Sequence, residues 1–235
     1  MKLIKAVSIL FLMIAVSGCT GAEENGEQFP KQPPTAEETA KIKGLLEKIR
    51  TGERREKVQA AKALGDMAIA KPDMGLGAPE RKTLDEIIDG YLADAGNKTD
   101  HQKSIFAKEQ LERIWTFATD KLVAAVSEEN ISIKEAAVKQ LILMHNDEIC
   151  EKLIQKFHDG DEDTRFFVVF TLAKFREKRE ANVRERVCPE EKVTDRIVKE
   201  KVIPFLKKVQ ADEKSERVKK TIERALKDFE PVERG

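Results

Sequence analysis

The chain has 235 residues, with 43 basic and 43 acidic side chains, 37% charged residues and only 6% aromatics. That balance gives no electrostatic case for nucleic acid, whose phosphate backbone calls for a surplus of cations. With 12 Gly, 8 Pro, one Trp and one Tyr, the composition is that of a helix-rich chain long enough to share one continuous core, and one domain is expected.

The first nineteen residues carry an address. Lys2 and Lys5 make a positive start, Ala6 to Val16 is an apolar run of eleven, and small residues lead to Cys19, which together read as an export signal. The run falls well short of the eighteen or more residues that span a bilayer, and no later stretch is long and apolar enough. Losing Lys2 and Lys5 with the signal leaves 41 basic against 43 acidic residues.

Val16-Ser17-Gly18-Cys19 resembles the lipobox of bacterial lipoproteins. The resemblance implies that the Cys19 thiol takes a diacylglycerol, that cleavage falls just before it, and that the new amino end is acylated too. Each buried methylene adds about 0.8 kcal/mol of membrane affinity and one chain alone is marginal, so two or three chains would hold the protein to the cell membrane. By the same analogy, Thr20 is not the aspartate that retains some Gram-negative lipoproteins in the inner membrane, which favours the outer membrane and a periplasm-facing fold.

Thr20 to Pro34 has no apolar period and is rich in Gly, Pro and Glu, as a flexible spacer is. The expected organisation is a signal peptide at 1–18, a lipidated Cys19 and tether at 19–35, and a helical-repeat domain at 36–235. Thr35 with Glu38 three residues on is a capping box, and Ile42, Leu45, Leu46 and Ile49 form one apolar stripe before Gly52 stops it. Amphipathic patterns then predict helices at about 54–70, 79–94, 101–118, 120–128, 132–145, 147–158, 163–178, 190–209 and 215–229, with no defensible strand alternation. Pro204 should kink or split the helix that contains it.

Four of these helices share a register: a cap-type or acidic residue, a basic residue four later, and a leucine seven after that. They are Glu53, Lys57, Leu64; Asn130, Lys134, Leu141; Asp161, Arg165, Leu172; and Ser215, Lys219, Leu226. The position seven after the cap is apolar each time, as Ala60, Ala137, Val168 and Ile222. Any amphipathic helix matches itself at eleven residues, but that does not supply the recurring cap with its basic residue, nor the small-residue run from Ala60 to Gly65. The pattern resembles the second helix of HEAT repeats, best near 53–66 and 130–175. The resemblance implies an all-α solenoid of stacked helix pairs.

Thr164 to Phe175 is apolar nearly all round, fitting either a central helix covered on most sides or an exposed aromatic patch, of which the central helix is favoured. The basic run beyond it, with Arg176, Lys178, Arg179, Arg184 and Arg186, is a candidate partner-binding patch if it is not simply a solvated helix end. Cys150 and Cys188 could join in an exported chain; alternatively Cys150, beside Ile149, Leu153 and Ile154 on one helical face, is a small core residue.

Motifs for catalysis are lacking: His101, His145 and His158 have no ligand spacing, and no phosphate-binding glycine loop or Cys-x-x-Cys occurs. Asp159, Asp161 and Asp163 alternate like calcium-loop ligands, but Thr164 and Phe170 stand where that loop needs Gly and Glu, so turn and N-cap duty explains them. The expectation is a non-enzymatic, membrane-anchored scaffold or adaptor for another envelope protein, with no catalytic residue, metal or cofactor. The alternatives are a periplasmic carrier of an apolar ligand on the aromatic cluster and, from a further resemblance of the repeats, a phycobilin-lyase-like enzyme, which the export signal argues against.

Overall fold

The computed structural model of the chain describes residues 32–176 and 191–229. Helix starts follow from side chains that satisfy the first free backbone N–H groups. Thr35 accepts from the Glu38 amide at 3.2 Å while Glu38 Oε2 accepts from the Thr35 amide at 2.9 Å, closing the expected capping box of α1 (Ala36–Thr51). α2 (Arg54–Ala70) starts after Glu53, and α3 (Ala78–Ala95) has Pro79 in its first turn. Asp100 caps α4 (His101–Arg113), Asn130 caps α6 (Ile131–Met144), Asn146 caps α7 (Asp147–Asp159) and Asp161 caps α8 (Glu162–Ala173). Between them α5 spans Trp115–Ala125; after α8 come α9 (Glu191–Ile197), a π turn (Val198–Val202), α10 (Ile203–Asp212) and α11 (Glu216–Phe229), where Ser215 Oγ accepts from the Val218 amide at 3.3 Å.

The helices pack in pairs: α1 on α2, α3 on α4, α5 on α6, α7 on α8, and α10 on α11. The first members, α1, α3, α5 and α7, touch in succession, as do the second members, α2, α4, α6, α8 and α11. The protein is therefore an all-α stack of helix pairs in two layers, each pair burying a face that it could not cover alone. Five second-layer helices share the predicted register, because Asp100, Ala107 and Leu111 place α4 in the same series as the four read from the sequence. Seven after each cap, Ala60, Ala107, Ala137, Val168 and Ile222 are buried, as are Leu64, Leu111, Leu141 and Leu172 at eleven. Each such leucine contributes on the order of 1.5–3 kcal/mol through burial.

Small residues set the spacing between successive helix pairs. A Cβ built on Gly65 would stand 1.9 Å from the Arg113 carbonyl oxygen, and one on Gly96 would stand 2.7 Å from that of Ser132. The α2 backbone therefore rests on the end of α4, and the α3–α4 turn on the start of α6.

Three boundaries differ from expectation. The pattern predicts one helix over 101–118 and another over 120–128, but the break falls at Ile114, a fully buried residue with φ −109° and ψ 24°, so α4 ends at Arg113 and α5 begins at Trp115. The helix expected over 163–178 ends at Ala173, where turn bonds from Lys174 N to Thr171 O and Phe175 N to Leu172 O close it. The fold also reaches back before residue 35: the Gln32 amide donates to Asp73 O at 2.7 Å, and the Gly75 amide donates to Gln32 O at 2.8 Å, clasping the entering chain to the loop after α2.

Pro204 does not split its helix, although a kink or split is expected there. It has no N–H and its ring would strike the carbonyl four residues back, and the ladder widens into the π turn at Val198–Val202 just before it. Cys150 is fully buried with a free thiol, which burial pushes up to about 12. It behaves as the small core residue of the second reading, while Cys188 lies outside the described residues.

Candidate functional site

α8 is flanked by α6, α7 and α11, and it does two things at once. Val168, Val169, Thr171 and Leu172 face inward and are buried. Phe166, Phe167 and Phe170 are only half-buried and stand along the outer side of the second layer. The central-helix expectation is met by the inner face alone; the outer face is an aromatic ridge. Phe166 meets Phe167 edge-on with centroids 5.2 Å apart and stacks on Phe170 at 6.3 Å. These geometries fix ring orientation beyond simple area burial.

Cations from both neighbouring helices cover the ridge. The Arg217 guanidinium of α11 lies 3.7 Å from the Phe166 centroid, Lys134 of α6 lies 5.0 Å from that of Phe167, and Lys174 lies 5.9 Å from that of Phe170. Lys134 and Arg217 also share one carboxylate, Asp163, so two positive charges meet a single negative one. Asp163 thus serves the ridge, and Asp161 is the N-cap that accepts from the Thr164 amide at 2.8 Å. A further cation–ring contact, Arg54 over Phe106 at 5.1 Å, occurs at the register position of Phe167, six after the cap of α4.

Ion pairs tie each helix pair to the next. In the first layer Lys121 reaches back to Asp89 at 2.9 Å, Lys152 to Asp120, and Lys201 to Glu151 and Asp147. These lysines each follow an acid, at 120–121, 151–152 and 200–201, a second internal repeat that a search of the second helices alone misses. In the second layer Arg165 grips Glu213 with two bonds of 2.8 and 3.1 Å, and Glu213 also accepts from the amides of Lys214 and Ser215.

The layers differ in charge although the chain is balanced. The second-layer helices carry 15 basic and 10 acidic residues, and the helical segments of the first layer, α1, α3, α5, α7 and Glu191–Asp212, carry 15 and 17. The positive surplus lies on the side that bears the ridge. There Lys108 is held below its usual value by burial and by the like charge of Lys139.

These pairs set a pH dependence. Lys134, then Arg217, hold the Asp163 carboxyl below its ordinary 3.8, and Arg196, then Lys201, do so for Asp147. Burial pushes Glu213 up, but Arg165 and the Ser215 amide outweigh it and leave the group low, while Lys71 draws Glu38 to about 2. Carboxyls lowered on folding stabilise the fold fully above their unfolded values and lose that contribution as pH falls through the folded ones. The melting temperature is therefore expected to hold near neutrality and to fall progressively from about pH 4.5 towards 2. Melting scans across that window check this, with Asp163→Asn expected to flatten part of the slope.

Among the described residues, Arg176 and the three histidines lie at separate places. Arg176 donates to Asp195 at 2.7 and 2.9 Å and to the Phe229 carbonyl at 3.4 Å, closing α8 onto α9 and α11; Lys178, Arg179, Arg184, Arg186 and Cys19 lie outside the described residues. His145 is buried and stacked on Phe175 at 4.7 Å, donating from Nδ1 to the Ile142 carbonyl with Thr194 Oγ1 2.8 Å from Nε2, so it fastens the α6–α7 turn to α9. His101 opens α4 on the surface, and His158 sits edge-on to Phe157. The structure thus brings together the phenylalanines with Lys134 and Arg217, a constellation whose sequence signal was the all-round apolarity of 164–175.

No family model matches the chain, and no curated protein matches it. Among solved structures it is similar to a designed armadillo repeat protein, YIII(Dq)4CqI, at 14% identity over 79% of this chain and 98% of that one, with a TM-score of 0.23.

Proposed function

We propose that this protein is a lipoprotein held at a membrane surface through Cys19, and that its stacked helix pairs act as a scaffold or adaptor for another envelope protein without turnover of their own. The single observation that favours binding is the half-buried aromatic ridge on the cation-rich layer of the stack, since contiguous apolar surface rimmed by polar groups marks interaction sites. The export pattern and lipobox-like residues before Cys19 support the anchor, and no helix among the described residues is long and apolar enough to cross a membrane. Anchoring confines the scaffold to the membrane plane and raises its effective concentration for partners there.

Cys19→Ser is expected to leave the fold intact and release the protein from membranes. Fractionation after a high-salt wash reads this directly, and a variant that still pelleted would overturn the anchor. A carrier of apolar ligands is less well supported: Phe175 is buried against His145, and Phe166, Phe167 and Phe170 pack on one another and on cations rather than around a hollow.

A further inference from the structure

Nine residues after the cap, the second-layer helices present Lys62, Glu109, Lys139, Phe170 and Arg224 in one row. α6 and α11 both pack on α8, and Lys139 and Arg224 hold on those two helices the cap-relative position that Phe170 holds on α8, whose ring carries Lys174 at 5.9 Å. Lys139 and Arg224 are exposed, and the Phe170 ring is half-buried. One turn back, Phe166 lies under Arg217, and Asp163 at the foot of the ridge is already shared by two cations. The strip therefore alternates positive charge, apolar ring and positive charge across three helices.

We infer that this strip docks an acidic segment of a partner protein, one whose carboxylates meet Lys139, Arg217 and Arg224 while an apolar side chain rests on Phe166 and Phe170; the inference rests on the scaffold reading above. Charge complementarity selects the occupant. A strip of cations separated by rings matches carboxylates separated by apolar side chains, and the parts of the half-buried rings left open beside the cations offer apolar area between the charges. Nucleic acid or an anionic bilayer presents dense, continuous negative charge and is met by runs of cations without acids. Here Glu135, Asp163 and Glu223 lie among the cations, so continuous negative charge would meet them, whereas carboxylates spaced by apolar residues can be set against the cations alone.

The test uses the full chain in neutral detergent and a fluorescein-labelled dodecapeptide that alternates Glu and Leu, read by fluorescence polarisation. The peptide is expected to bind, and its Gln-for-Glu counterpart to bind at least about tenfold more weakly. Lys139→Glu with Arg224→Glu, both at exposed sites, and separately Phe170→Ala, are each expected to weaken binding about tenfold, with helical circular dichroism unchanged. Raising salt should weaken binding to the parent and have less effect on the charge-reversed variant. The inference is overturned if the Glu peptide does not bind, if the Gln peptide binds equally, or if the variants bind like the parent. It is also overturned if phosphatidylglycerol vesicles or a single-stranded oligonucleotide bind more tightly than the peptide and are lost in the same variants. Cys19→Ser fractionation reads the anchored-scaffold reading separately, so an anchored protein whose strip fails loses this inference alone.

Discussion

Replacing Arg165 by alanine is expected to destabilise the protein by about 3 kcal/mol, the low end for breaking a buried ion pair because the arginine side chain is itself 25% exposed. Glu213, 3% exposed, would keep two amide donors but lose both guanidinium bonds, leaving a buried carboxylate without its countercharge. Arg165 Nη1 also donates to the Gly160 carbonyl at 3.0 Å, so the same change frees the turn between α7 and α8. The pair joins α8 to the turn entering α11, and in a stacked architecture such a loss acts on the interface between neighbours. Hydrogen exchange should show α11 losing protection before α1–α6, and urea unfolding should give the magnitude. Glu213→Gln, which keeps acceptor capacity, should cost less. A loss below about 1 kcal/mol for Arg165→Ala would mean that the pair is worth no more than a surface contact.

Gly65→Ala should cost about 3 kcal/mol, near the upper end for overpacking. The added Cβ would stand 1.9 Å from a backbone oxygen, that of Arg113, and a carbonyl at the end of a packed helix cannot swing aside as a side chain could. α2 would have to lift from α4. Gly44→Ala is the matched control: it sits on the exposed side of α1 with nothing within 4 Å of its built Cβ, and helix propensity alone should stabilise it by about 0.5–1 kcal/mol. Thermal melts of the two variants are expected to move in opposite directions, and a Gly65→Ala melt matching the parent would show that the first two helix pairs can separate freely.

Local signals were legible where one residue type has one physical job. Thr35 with Glu38, and the caps Asn130, Asp161 and Ser215, sit where the sequence puts them because few other side chains reach a free amide. The break at Ile114 had no such sign, since a buried isoleucine neither caps nor breaks a helix and the turn there is imposed by packing. α4 escaped the repeat because Ser104 occupies its basic position; there the hydroxyl donates to the Ala95 carbonyl at 2.8 Å, binding α4 to α3 rather than to the next pair. The candidate site was half visible. The density of phenylalanine at 164–175 marked the place, but which rings turn outward depends on where α11 lies, and α11 is 54 residues from α8 by cap spacing. The basic run after 174 is visible in the sequence by its charge alone, whereas the cations at the ridge, Lys134 and Arg217, come from separate helices and are gathered only by folding.

The clasp at Gln32 fixes where any leash from Cys19 would join the body. Thirteen residues separate the two positions, a contour of about 45 Å when pulled straight. Helix pairs spaced about 10 Å apart would put the Phe166–Phe170 ridge, on the fourth pair, roughly 30 Å along the stack from that junction. An acylated Cys19 could therefore lie no farther from the clasp than that contour. Shortening the leash would narrow the distance over which a partner could be met, without altering a single contact at the ridge.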